Sequence, residues 1–311
     1  MSEKASGLDV SHYQEDVDWA RVAKIGKVFA FLKASEGALI SDALFETNRA
    51  GARKNNIIVG AYHLFHPGRA VADQVKLFVG QVKALEPGEL PPVLDLEVPD
   101  EWNPVTPTDR LKLISAWLEQ VEDALGVKPI IYAARSFVDN LLKNDSRLAA
   151  YGLWLADYRV RPTLPVPWSD WVFWQFTDQG VADGITGNVD LDLFNGSLRD
   201  LEKLQAPSPS PAVVTAARSV AGRSVHKQTH PLAALIDASS QVEAARRTNP
   251  DAAQRRVLAE ARRYLDRAVS TLTPRPRPWT RLSRKRRVKA ARRRHRHSTA
   301  KRGSRPRKDR S

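Results

Sequence analysis

Over the first two hundred residues, short apolar runs alternate with stretches whose apolar residues recur at three- and four-residue steps. The runs, rich in β-branched and aromatic residues, read as strands at 8–13, 27–35, 57–65, 92–98, 128–133, 153–158, 172–177 and 189–194. Amphipathic stretches such as DVDWARVAKI and TPTDRLKLISAWLEQVEDAL lie between the first five and read as helices. In the second, Thr106 and Asp109 stand three apart, a variant of the capping box, and Pro107 suits the first helical position. Strand–helix alternation predicts parallel strands joined by right-handed crossovers. The last three strands follow one another with little helical material between them. The prediction is therefore an α/β fold, an irregular TIM-like barrel of eight strands whose final third lacks helices. In such barrels the chemistry gathers at the carboxyl ends of the strands.

Those ends are acidic. In PPVLDLEVPDEW the alternation puts Asp95 and Glu97 on one face of an otherwise apolar strand. Two neighbouring carboxylates repel and resist burial. Spacing alone leaves two readings open: a strand with one wet face, or a site where one carboxyl is held protonated while another stays ionised. Asp9 in GLDVSHY, Asp157 in LWLADY and Asp190 in GITGNVDLDLFNG end other strands, and Tyr62 and His63 occupy GAYHLFH. A lone strand-end Asp more often caps a helix or bonds a loop amide; recurrence on separate strands favours convergence. Trp102, Tyr132, Trp154, Tyr158, Trp174 and Phe176 accompany them. Their faces suit sugar rings, and equally suit a core. Acids ringed by aromatics describe a carbohydrate cleft. No metal or cofactor is expected: GxGxxG, GxxxxGK[ST] and GxSxG are absent, and His63 and His66 fall on opposite faces of their strand.

Charge divides the chain. Residues 1–200 carry 20 Lys+Arg against 28 Asp+Glu, a net −8, whereas residues 201–311 carry 29 against 7, a net +22. Seven of the eight tryptophans precede residue 175. QAPSPSPAVV follows Leu204 and reads as an extended linker. We divide the chain into a catalytic barrel (1–204), a Pro/Ser-rich linker (205–228), a small helical hairpin (229–273) and an Arg/Lys-rich tail (274–311). The tail holds 18 Lys+Arg against one Asp, a composition that cannot bury apolar surface and predicts disorder. The chain has no cysteine, which excludes disulfide, thiolate–zinc, iron–sulfur and thiol-nucleophile chemistry. No run approaches the length of a membrane span.

The ordered set GLDVSHYQ, FLKASEG, GAYHLFHP, PPVLDLE, PIIYA, LWLADY, VFWQFT and GITGNVDLDLFNG resembles glycoside hydrolase family 25, the Chalaropsis-type lysozymes common among phage endolysins, over about residues 6–197. The resemblance implies a (β/α)5(β)3 barrel and an N-acetylmuramidase that cleaves the β-1,4 bond between N-acetylmuramic acid and N-acetylglucosamine in peptidoglycan. It makes Glu97 the general acid, Asp95 its partner, Asp9 and Asp190 two further site acids, and Tyr62 a site aromatic. Tyr132, Trp154, Asp157 and Trp174 complete the expected substrate-binding set. One departure stands out: the family usually reads VDLN where this chain has Asp192 after Leu191.

With a wall-degrading barrel, the polycationic tail is expected to hold an anionic wall polymer or a membrane surface, nucleic acid being a third ligand class that fits. The start, MSEKASGLDVSHY, has no basic segment leading into an apolar one, so no signal peptide is expected. The chain would then be made in the cytoplasm and reach the wall by holin-type or other release. A chitinase-like hydrolase and a non-catalytic glycan- or nucleic-acid-binding protein are the competing readings.

Overall fold

In a computed structural model of the protein, the described residues are 4–206 apart from 143–144, with positions 240, 242, 261, 262 and 265 beyond them. The linker, hairpin and tail expected after residue 204 lie outside the described residues, except for 205–206 and those five positions.

Among the described residues nine strands form one sheet: β1 (Ser6–Val10), β2 (Phe29–Glu36), β3 (Ile40–Ser41), β4 (Ile58–Leu64), β5 (Val93–Leu96), β6 (Ile130–Ala134), β7 (Gly152–Ala156), β8 (Phe173–Gly180) and β9 (Val189–Phe194). β1, β2, β4, β5, β6, β7 and β8 run parallel in that order. β9 runs antiparallel between β8 and β1 and closes an eight-stranded barrel. Its reversal follows from its connection: residues 181–188 are too few for a crossover, so the chain can only turn back. β3, a two-residue strand that was not foreseen, pairs with the end of β2 outside the barrel.

Helices α1 (Trp19–Lys24), α2 (Phe45–Lys54), α3 (Val71–Val82), α4 (Pro99–Trp102), α5 (Pro107–Leu125), α6 (Arg135–Phe137) and α7 (Leu198–Leu204) complete the described elements, with a few short 3₁₀ and π turns. None is long and apolar enough to cross a membrane. α5 shows how local sequence and packing agree. Thr106 accepts from the Asp109 amide at 3.2 Å, Pro107 opens the helix, and Gly126 ends it at φ 75°, where a side chain would be strained. Its buried face is Leu111, Ile114, Trp117, Leu118, Val121 and Leu125. At about 1.5–3 kcal/mol per buried apolar side chain, that face outweighs the cap's roughly 1 kcal/mol. Packing, not capping, holds the helix.

Alternation along β5 sorts its side chains. Leu94 and Leu96 pack into the layer between sheet and helices, whereas Val93 packs inside the barrel and Asp95 opens into the cleft at its mouth. The interior is aromatic: Phe29, Phe31, Tyr132, Trp154, Phe173 and Phe194 fill it, with Phe31 stacked on Trp154 at 4.3 Å. Gly7 and Gly60 make room, since a Cβ at either would run into the ring of Phe29 or Phe31. The run expected as strand over 8–13 ends early, at Val10. Ser11 caps a 3₁₀ turn over His12–Gln14, and the Gln14 side chain accepts from the Ser11 amide at 2.9 Å.

Candidate active site

The carboxyl ends of the strands surround a cleft of about 210 Å³ lined by Asp9, Tyr62, Asp95, Glu97, Tyr132, Trp154, Gln175 and Asp190, with Lys33 and the 10–14 turn at its rim. A neighbouring cavity of about 410 Å³ is lined by Glu97 and Tyr132 again, with Arg135, Asp139, Asp157, Tyr158 and Arg159. Glu97 and Tyr132 thus stand between two spaces.

Asp9 on β1 and Asp190 on β9 are register partners. Asp9 is buried and its carboxyl lies well above the ordinary range, first because burial disfavours its anion and then because Asp192 and Asp190 are close. Asp190 is pushed up to about 6, mainly by burial, with Asp178 and Glu97 adding to it and a hydrogen bond from Asp9 opposing it. Asp95, also buried, is raised by burial and by Glu97, and its Oδ1 has no hydrogen-bond partner. Glu97 follows β5 and is solvent-exposed at the cleft. Its carboxyl is raised chiefly by desolvation, against the pull of a Tyr132 hydrogen bond and Lys33. Lys33, the cation at this rim, is tied to Glu36 at 2.6 Å.

The backbone around Glu97 is clamped. Val98, a β-branched residue, sits at φ 54°, in the left-handed region that such side chains rarely adopt. The fully buried Trp102 donates its indole N–H to the Glu97 carbonyl at 3.1 Å, and Arg110 donates to the Trp102 carbonyl at 3.1 Å.

Gln175 joins the two halves of the site. Its Oε1 accepts from the hydroxyls of Tyr132 and Tyr158, each at 2.9 Å, which turns its Nε2 toward Asp9 at 2.8 Å. Tyr132 lines both cavities together with Glu97, so Gln175 stands between the Glu97 side of the site and Asp9. Gln175 and Lys33 were missed in the sequence. The alternation that sends Phe173 inward sends Gln175 inward as well, and a lysine inside an apolar run is the same kind of signal as the acids.

Of the other expected residues, Tyr62 and Trp154 reach the cleft. Trp154 is its floor, covered on one face by Phe31 and donating to Asp192 at 2.8 Å. Asp157 lines the second cavity and is saturated by Arg159 at 2.7 and 2.6 Å and by the Thr163 amide at 2.9 Å, which hold it below the ordinary range. Trp174 lines neither cavity. It lies on the outer face of β8, beside Trp171 and Phe176, and donates to the Asp157 carbonyl at 2.6 Å. Strand alternation forbids it from sharing the face of Gln175. His63 is buried, bonded to Ser35 and Gln74 and stacked on Trp117, whereas His66 lies between Glu36 and Glu101. No group of three metal-binding side chains occurs among the described residues.

A closed barrel carrying several acids and aromatics at one mouth, with those acids raised by burial, fits a glycoside hydrolase. The chain belongs to the glycosyl hydrolases family 25, whose model matches residues 8–185. The uncharacterized protein YegX of Escherichia coli (strain K12) is 39% identical over 204 residues, which span 63% of this chain and 71% of YegX. Lysozyme M1 of Streptomyces globisporus is 32% identical over 204 residues, 61% of this chain and 68% of that protein. The crystal structure of a bacterial lysozyme from Streptomyces coelicolor superposes with a TM-score of 0.63 at 30% identity, covering 66% of this chain and 98% of that one.

Proposed function

We propose that the barrel is a peptidoglycan hydrolase, an N-acetylmuramidase that cleaves the β-1,4 bond between N-acetylmuramic acid and N-acetylglucosamine with Glu97 as general acid. The observation that carries this reading is the position of Glu97: a raised carboxyl, open to solvent, standing between two cavities. A glycosidic oxygen leaves poorly unless protonated as its bond breaks. Asp95 is also raised, but it is buried and lines only the smaller cleft, whereas Glu97 lines both cavities. The smaller cleft, with Asp9 and Asp190, suits the ring on which positive charge develops; the larger cavity suits the leaving sugar. The kinship with lysozymes supports the substrate. The basic tail would hold the enzyme to an anionic wall polymer or membrane surface, and the chain would reach the wall by holin-type or other release.

The test is digestion of purified Gram-positive peptidoglycan by the full chain and by Glu97→Gln, followed by borohydride reduction and mass spectrometry. Muramitol ends are expected from the wild type and absent from the variant. Reduced glucosamine ends would overturn the bond assignment, and equal products from both proteins would overturn the role of Glu97.

A further inference from the structure

Asp192 has no place in the mechanism above, yet it is the most enclosed acid of the site. Its side chain is fully buried on β9, its Oδ1 accepts from Trp154, and its Oδ2 has no donor at all. Register sets Gly7 opposite Asp192 and Asp190 opposite Asp9, so Asp9 and Asp192 are diagonal neighbours across the β1–β9 pair. Both are buried, and each lies close enough to perturb the other's ionisation. Two carboxylate anions cannot satisfy each other, because each is acceptor-only. A proton between them supplies the missing donor and accounts for the orphan oxygen.

We propose that Asp9 and Asp192 form a carboxyl pair that holds one proton through the neutral range, so that the pair presents a single negative charge to the cleft. The charged groups facing it agree. Asp190 on β9 adds negative charge, and Lys27, in the turn before β2, is the cation near it; Trp154 on β7 and Gln175 on β8 contribute one neutral donor each. One donor apiece is too little to keep two buried anions side by side. Burial, followed by the charge of Asp190, pushes Asp192 up to about 8. The proton belongs to the pair and not to one residue. An asparagine at 192 would give Asp9 an N–H donor and Trp154 a carbonyl in the same shape, with nothing to titrate.

The pair is read without substrate, so the outcome stands apart from whether peptidoglycan is cleaved. In infrared difference spectra at neutral pH, the full chain minus Asp192→Asn should show a protonated-carboxyl band. The sign for stability also follows. The unfolded chain ionises both acids near pH 4, whereas the folded pair keeps a proton far higher, so wild-type stability falls over that window as pH rises. Asp192→Asn lacks this loss, and its Tm advantage should widen by about 5 °C or more between about pH 5 and pH 8. Asp9→Asn breaks the pair from its other member and should remove the same band, which keeps the test intact if one variant does not fold. Spectra without the band, or a Tm difference that does not change with pH, would overturn the pair.

Discussion

The two ends of β5 treat carboxylates in opposite ways. Before its amino end, the nearly buried Glu89 receives Arg49 through two bonds of 2.7 and 2.6 Å, Arg53 at 3.1 Å and the Glu86 amide at 2.9 Å. At its carboxyl end, Asp95 has an oxygen without a donor, and Glu97 shares one lysine already committed to Glu36. The two flanks of one strand therefore hold a satisfied acid that pins α2 to the barrel and frustrated acids whose ionisation is free to be tuned. Stability is invested at one pole, and the other gives some of it up for chemistry.

Glu97→Gln should break the reactive pole most severely. Removing a positioned general acid lowers turnover by about 10²–10⁴-fold, and relief from Asp95 should leave the thermal midpoint unchanged or higher. Peptidoglycan turnover beside a melting curve reads both; a variant that loses activity only in proportion to lost folded protein would refute the role.

Glu89→Ala should break the other pole. It strands Arg49 in a largely buried site and is expected to cost about 3–5 kcal/mol, seen as a lower urea midpoint at unchanged slope. The folded fraction should keep its turnover, since Glu89 does not line the cleft. A loss below about 1 kcal/mol would mean that the arginine bonds to the Val82 and Ala84 carbonyls carry the contact alone.

Asp95→Asn tests the frustration between these extremes. The folded carboxyl is raised above its unfolded value, so the unfolded chain releases its proton first and wild-type stability falls as pH rises from about 4 toward the folded value. The variant should lose activity yet gain stability above that pH, with the gain growing up the window. Parallel curves of midpoint against pH would show that Asp95 is not held protonated.

What the sequence made legible follows from which rules are local. Strand–helix alternation, the Thr106 cap and the acids at strand ends depend on neighbours in the chain, and the barrel with its acidic mouth follows from them. The end of β1 at Val10 was hidden because the Ser11–Gln14 turn sits directly against an apolar run and looks like its continuation. Gln175 was hidden for another reason. An amide in a strand carries no mark of chemistry until Tyr132, Tyr158 and Asp9, from three other parts of the chain, are brought against it.

Trp174 gives the smallest expected effect and the sharpest check on that alternation. Its indole is spent on the Asp157 carbonyl, on the face of β8 opposite Gln175. Trp174→Phe keeps an aromatic ring in that outer cluster and removes one hydrogen bond, worth about 1 kcal/mol of stability. Because the ring lines neither cavity, kcat/KM on peptidoglycan should stay within about two-fold of wild type, under 0.5 kcal/mol of transition-state binding. A ten-fold rise in KM at unchanged kcat would instead mark lost uniform binding of the glycan and place Trp174 on an extended sugar-binding surface outside the two cavities.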